Sequence, residues 1–137
     1  LAGTFDIAVR LATDLKEADS VLWDAQIQTV FPIIERIRRR FIEQYIDELR
    51  SILPQRDEFG KDLLTPEDME LRHMWHYYFR VSGFCSLEDG HVFKMIYDAR
   101  NKLAHLTPLA HSTVISIFAL EEKSDRPLRQ EIRSRAE

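Results

Sequence analysis

A chain of 137 residues with a single cysteine, Cys85, only four glycines and five prolines has room for one domain. It can hold no internal disulfide and is neither collagen-like nor Pro-rich. With 45% apolar and 31% charged residues it has an ordinary globular balance. Its net charge of -4 and pI ≈ 5.8 argue against a general nucleic-acid coat, because non-specific phosphate binding wants a basic domain.

Apolar residues recur at helical spacing along most of the chain, which predicts an all-α fold: a bundle of about five helices with one long, Pro-kinked helix. The first segment is expected over 4–18. Thr4 serves as N-cap, and Ile7, Leu11 and Leu15 recur every four residues. The second and longest is expected over 20–53. Ile27, Val30, Ile34, Ile37, Phe41, Tyr45, Leu49 and Ile52 step by three or four, opposite a face of ion-pairing Arg, Glu and Asp residues. Pro32 should kink or split this helix near Phe31, and Pro54 should end it.

Residues 54–64 read as a loop. Thr65-Pro66-Glu67-Asp68 has the cap, proline and acids of a helix start. That third segment is expected to run to about Val81, where Ser82-Gly83 breaks it. A fourth opens at Ser86-Leu87-Glu88-Asp89 and carries the stripe Val92, Met95, Ile96, Ala99, Leu103 as far as His105. The fifth is expected from Thr107-Pro108 to about Glu122. There the β-branched run Val114–Phe118 is assigned to helix, because a lone strand would have no partner. The domain is thus placed at 1–122, and 123–137 is expected to be a charged, flexible tail.

No apolar run approaches the ~20 residues that span a bilayer. The N-terminus lacks the basic-then-apolar order of a secretory signal. A lone cysteine fits a reducing, cytoplasmic setting. The absence of an initiator Met suggests a segment of a longer protein.

The chemistry-bearing stretch is Ala99-Arg100-Asn101-Lys102-Leu103-Ala104-His105. With Val92, Ile96, Ala99 and Leu103 facing the core, Asn101 and His105 fall roughly opposite them and Arg100 at the edge, at ~100° per residue. Arginine grips phosphate in a planar fork, and histidine moves protons near neutral pH. Other clusters are better explained by structure. His73-x2-His76 has a spacing metals use but no third ligand nearby. Trp75–Phe79 is an aromatic run suited to base stacking, though core or interface packing accounts for it better. Cys85 and His91 form a nucleophile pair only on paper, since nothing local activates the thiol.

The pattern Arg100-Asn101-x3-His105, late in a helix of a small all-α chain with a long second helix, resembles the HEPN superfamily motif. The resemblance spans about residues 4–122. It implies a metal-independent endoribonuclease without cofactor, in which two copies, or this chain and another HEPN domain, pair so that their motifs share one cleft. By that analogy Arg100 neutralises the scissile phosphate. His105 acts on the 2′-hydroxyl or the leaving oxygen, and Asn101 orients one of them. Lys102 adds to substrate binding, and RNA leaves with 2′,3′-cyclic phosphate and 5′-hydroxyl ends. The alternative is a catalytically silent helical dimerisation or signalling module of a larger protein, such as an NTPase-linked defence or stress system. A third is an RNA- or nucleotide-binding helper that does no chemistry.

Overall fold

The structure, a computed structural model, describes the backbone of residues 2–136 and the side chains of residue 3 and residues 6–123. The chain is all-α, as expected: it is 76% helical, in about five helical segments with one bent long helix and a minute two-stranded sheet. Among the described residues no helix is long and apolar enough to cross a membrane. The chain divides into two compact units, one formed by residues 1–32 and 99–137 and the other by residues 33–98.

In the first unit, α1 runs Ala2–Thr29 without interruption. The break expected near residues 18–20 does not occur. Asp19 and Ser20 cost only a few tenths of a kcal/mol each in a helix interior, too little to stop one. Val30 provides the break instead, and α2 (Phe31–Gln44) opens with Pro32 in its first turn, where the missing N–H costs nothing. The expected split near Phe31 is therefore present. The closing helix α7 begins at His111, not Thr107, and extends to Ala136. Val114–Phe118 is helical as expected. The side chains of the charged tail expected over 123–137 lie, from residue 124, outside the described residues.

Within the second unit, α2 continues after a turn at Tyr45 into α3 (Ile46–Ser51). Ile34, Ile37, Phe41, Tyr45 and Leu49 of the expected stripe are buried. Residues 54–64 are not a plain loop. They form a hairpin of β1 (Gln55–Arg56) and β2 (Asp62–Leu63), pairing Gln55 with Leu63 and Arg56 with Asp62. Asp57 builds its turn: Oδ1 accepts the N–H groups of Phe59 and Lys61 at 2.9 and 2.8 Å. Gly60 sits at φ 81°, which glycine adopts at no steric cost.

Thr65 does cap a helical turn, but a short 3-10 one, Pro66–Asp68, closed by a Thr65/Asp68 capping box. The helix proper restarts as α4 (Leu71–Met74). It passes through a π-helical stretch, Trp75–Phe79, and ends as α5 (Arg80–Ser82) before Gly83 at φ 72°. The packing around Phe79 is aromatic. Phe79 lies against Phe84 at 4.2 Å between ring centroids, Tyr45 at 4.9 Å and Phe93 at 5.0 Å, and Phe41 meets Phe93 at 5.4 Å.

Helix α6 (Leu87–Ala104) starts where the sequence places it. The Ser86 hydroxyl accepts the Asp89 N–H at 3.1 Å. Asp89 Oδ2 in turn accepts from the Tyr45 hydroxyl at 2.7 Å and Gln44 Nε2 at 2.8 Å, while the Cys85 N–H donates to the Tyr45 oxygen at 2.9 Å. Burial, together with the Asp89 carboxylate it serves, pushes the Tyr45 phenol well above its usual range, so it stays a donor.

Candidate functional site at the end of α6

The motif occupies the last turn of α6. Ile96, Ala99 and Leu103 are buried, as the wheel requires. Phe93 is buried too, an addition to the expected stripe, while Val92 and Met95 are half-buried. Asn101 and Arg100 are half-buried, and Lys102 and His105 are exposed.

His105 is the C-cap of α6. Its N–H donates to Asn101 O at 3.1 Å, so Asn101 and His105 stand one turn apart on one face. The chain then leaves through a Schellman turn: the Thr107 N–H reaches Lys102 O at 2.9 Å and the Leu106 N–H reaches Leu103 O at 3.2 Å. That turn needs a left-handed residue, which glycine usually supplies. Here it is Leu106, at φ 60° and 70% exposed. Among the described residues the side chains of Asn101 and His105 make no hydrogen bond, whereas Arg100 is not free of partners.

Two residues of α1, neither anticipated from sequence, hold this turn in place. Trp23 Nε1 donates to Leu103 O at 2.8 Å, satisfying one of the carbonyls a helix end leaves open. Gln26, buried, grips both sides of Leu109: Nε2 donates to Leu109 O at 3.1 Å and Oε1 accepts the Leu109 N–H at 2.7 Å. This clamp occupies both backbone groups of Leu109, and the first helical bonds of α7 go to Ala110 O, so the helix starts at His111, four residues after Thr107.

A second polar cluster lies in the 33–98 unit. The Asp57 carboxylate, its turn bonds aside, takes His73 Nε2 at 3.1 Å and Arg72 at 3.2 Å on Oδ2. His73 Nδ1 accepts the Glu70 N–H at 3.0 Å, which makes Nε2 the protonated nitrogen. Arg72 also pairs with Glu58 at 2.6 Å and Glu70 at 2.9 Å and lies over the Phe59 ring. Burial alone would raise the Asp57 carboxyl; the Lys61, His73 and Phe59 donors outweigh it and hold it below its ordinary value. With both its nitrogens in use, His73 has none to offer a ligand, and His76 faces outward. The cluster fastens the hairpin to the start of α4.

Other sequence candidates separate in the same way. Phe79 is core, as preferred, but Trp75 is 40% exposed. Cys85 is exposed, and its backbone N–H serves Tyr45. Of the residues that sequence reasoning missed, Trp23 and Gln26 reach backbone 80 and 83 residues away, while Asp57 bonds the nearby Phe59 and Lys61 N–H groups and the side chain of His73, 16 residues on. No family model matches the chain, and neither a curated protein nor a solved structure does.

Proposed function

We propose that the chain is a HEPN-type endoribonuclease acting as a dimer, with Arg100, Asn101 and His105 as its working set. The observation that carries the reading is the end of α6. An imidazole and an amide with no hydrogen bond among the described residues stand one turn apart, beside a guanidinium, at a turn pinned by Trp23 and Gln26. Unspent polar groups on a fixed backbone are what a catalytic arrangement requires.

In the reaction, the ribose 2′-oxygen attacks the adjacent phosphorus and the bond to the 5′-oxygen breaks. His105 takes the proton from the 2′-hydroxyl or delivers one to the departing oxygen. Arg100 neutralises the charge gathering on the phosphate oxygens. Asn101 orients the phosphate or the imidazole, and Lys102, exposed one residue on, adds phosphate affinity. DNA lacks the nucleophile and survives. No metal or cofactor enters these steps. The setting that suits a lone free cysteine is the cytoplasm.

One observation favours the second reading, a silent pairing or signalling module: α1 exposes Ile7, Leu11, Leu15, Val21 and Leu22, an apolar stripe suited to another helix. The test is labelled single-stranded RNA in EDTA, with wild type, His105→Ala and Arg100→Ala compared and the solution mass measured. Cleavage by wild type alone, giving cyclic-phosphate ends from a dimer, is expected. A folded dimer that leaves RNA intact makes the chain a module. A folded, inactive monomer removes the shared cleft and with it the HEPN reading.

A further inference from the structure

The 33–98 unit contains a cavity of about 430 Å³ lined by Trp75, Phe84, Phe93, Lys94, Tyr97 and Asp98. Its volume falls in the range of small-molecule sites, and its wall is mostly apolar, with four aromatic side chains in it. Phe93 is buried; Trp75 and Tyr97 lie nearly parallel to it, at interplanar angles of 27° and 18°. Trp75, 40% exposed, offers apolar surface that the unit's own core does not use. It opens the π-helical stretch, a rare backbone form that is frequent at functional sites. Gly90, inside α6, borders the same cavity. A Cβ there would meet the Phe84 ring at 3.2 Å, so the glycine lets that ring lie against the helix. Glycine costs about 1 kcal/mol in a helix interior, and the packing of Phe84 is what offsets it.

Two charges of opposite sign complete the lining. Lys94 and Asp98 are both exposed and four residues apart on α6, one turn on a common face. Among the described residues neither makes an ion pair. With lysine on the N-terminal side, the order is the less favourable one for pairing within a helix. An ammonium and a carboxylate, both unspent, beside a stack of rings call for a ligand with a flat apolar ring and one group of each charge.

We propose that this cavity binds a free aromatic α-amino acid, its ring against Trp75 above Phe93, its carboxylate on Lys94 and its ammonium on Asp98. Both charges matter to the choice. A simple aromatic acid leaves Asp98 unanswered, and an aromatic amine leaves Lys94 unanswered. The site stands apart from the ribonuclease reading and does not depend on it.

Calorimetric titration of the full chain tests this with four probes: L-tryptophan, indole-3-propionate without the amine, tryptamine without the carboxylate, and L-leucine without the ring. Tryptophan is expected to bind, and each of the others about tenfold more weakly or worse, the worth of one charge-assisted contact or one stacking surface. Lys94→Met should weaken tryptophan about tenfold and leave tryptamine unchanged; Asp98→Asn should do the converse with indole-3-propionate. Both positions are exposed, so these variants keep the fold even if Trp75→Ala, expected to abolish binding, does not. Absence of heat with tryptophan at millimolar concentration, equal binding of all three indoles, or indifference to both charge variants overturns the proposal.

Discussion

Helix α1 and the aromatic cluster of the 33–98 unit spend their apolar residues in opposite ways. Ile7, Leu11, Leu15, Val21 and Leu22 recur at helical spacing yet remain 46–70% exposed. Phe41, Phe79 and Phe93, no more apolar, are buried to within a few per cent and touch one another edge-on or tilted. Periodicity alone is the same in both. What differs is whether a second and third element arrive to cover the stripe. Around Phe79 they do, from α2, the segment before α6 and α6 itself, while among the described residues none covers the five α1 positions. A helical stripe therefore states where a surface is, and only the fold decides whether it becomes core.

A pair of truncations followed by urea unfolding should separate the two regions most strongly. Phe79→Ala should cost about 3–5 kcal/mol, the usual loss for a buried ring. Leu11→Ala should change stability by less than about 0.5 kcal/mol, as at an ordinary exposed position. If Leu11→Ala instead costs as much as a core change, and the cost grows with protein concentration, the stripe is covered in solution by another chain.

That contrast also marks how far the sequence could be read. The all-α class, the split at Pro32, the Ser86 cap and the buried face of α6 all follow from local chemistry, and all are present. Local chemistry also placed Arg100, Asn101 and His105 at a helix end, with His105 exposed. The features that were not legible are long-range. Asp19-Ser20 looked like a boundary because both residues favour caps, but α1 runs through them. The Asp57 turn had a local signal, an aspartate three residues before Gly60, whereas its bond to His73 had none. Gln26 gives no hint in its neighbourhood that it will bracket Leu109, 83 residues on.

Asp57 should give the next largest effect, because four donors converge on one buried carboxylate. Asp57→Asn presents an amide N–H to donors and should lower Tm by several degrees at neutral pH. The pH dependence has a definite sign. The folded carboxyl is held below its unfolded value, so its contribution is fully present at neutral pH and is lost as pH falls through the folded value, below about 4. Thermal melts across that range should show the gap between wild type and Asp57→Asn closing on the acid side. A gap independent of pH would make the loss one of shape, not of charge.

Gln26→Ala probes the first unit in the same terms, at about 1–3 kcal/mol for the buried N–H and C=O of Leu109 left unpaired. It also separates structure from function. On the ribonuclease reading the variant should lose activity at temperatures where its circular dichroism is unchanged, because the turn after His105 is no longer held. Retained full activity in a folded Gln26→Ala protein would mean that the 107–110 segment does not position the histidine.

The smallest expected change sits at the turn itself. Leu106 holds a left-handed conformation that costs a side chain about 1–2 kcal/mol, and its exposure means that little packing is lost on removing it. Glycine relieves that strain but adds freedom to the unfolded chain, worth about 0.5–1 kcal/mol the other way. Leu106→Gly should therefore stabilise the protein by about 0.5 kcal/mol, readable as a rise in the urea midpoint at constant slope. A loss of stability would show that Leu106 is apolar surface that something covers; the same variant's activity would tell whether that cover bears on His105 next to it.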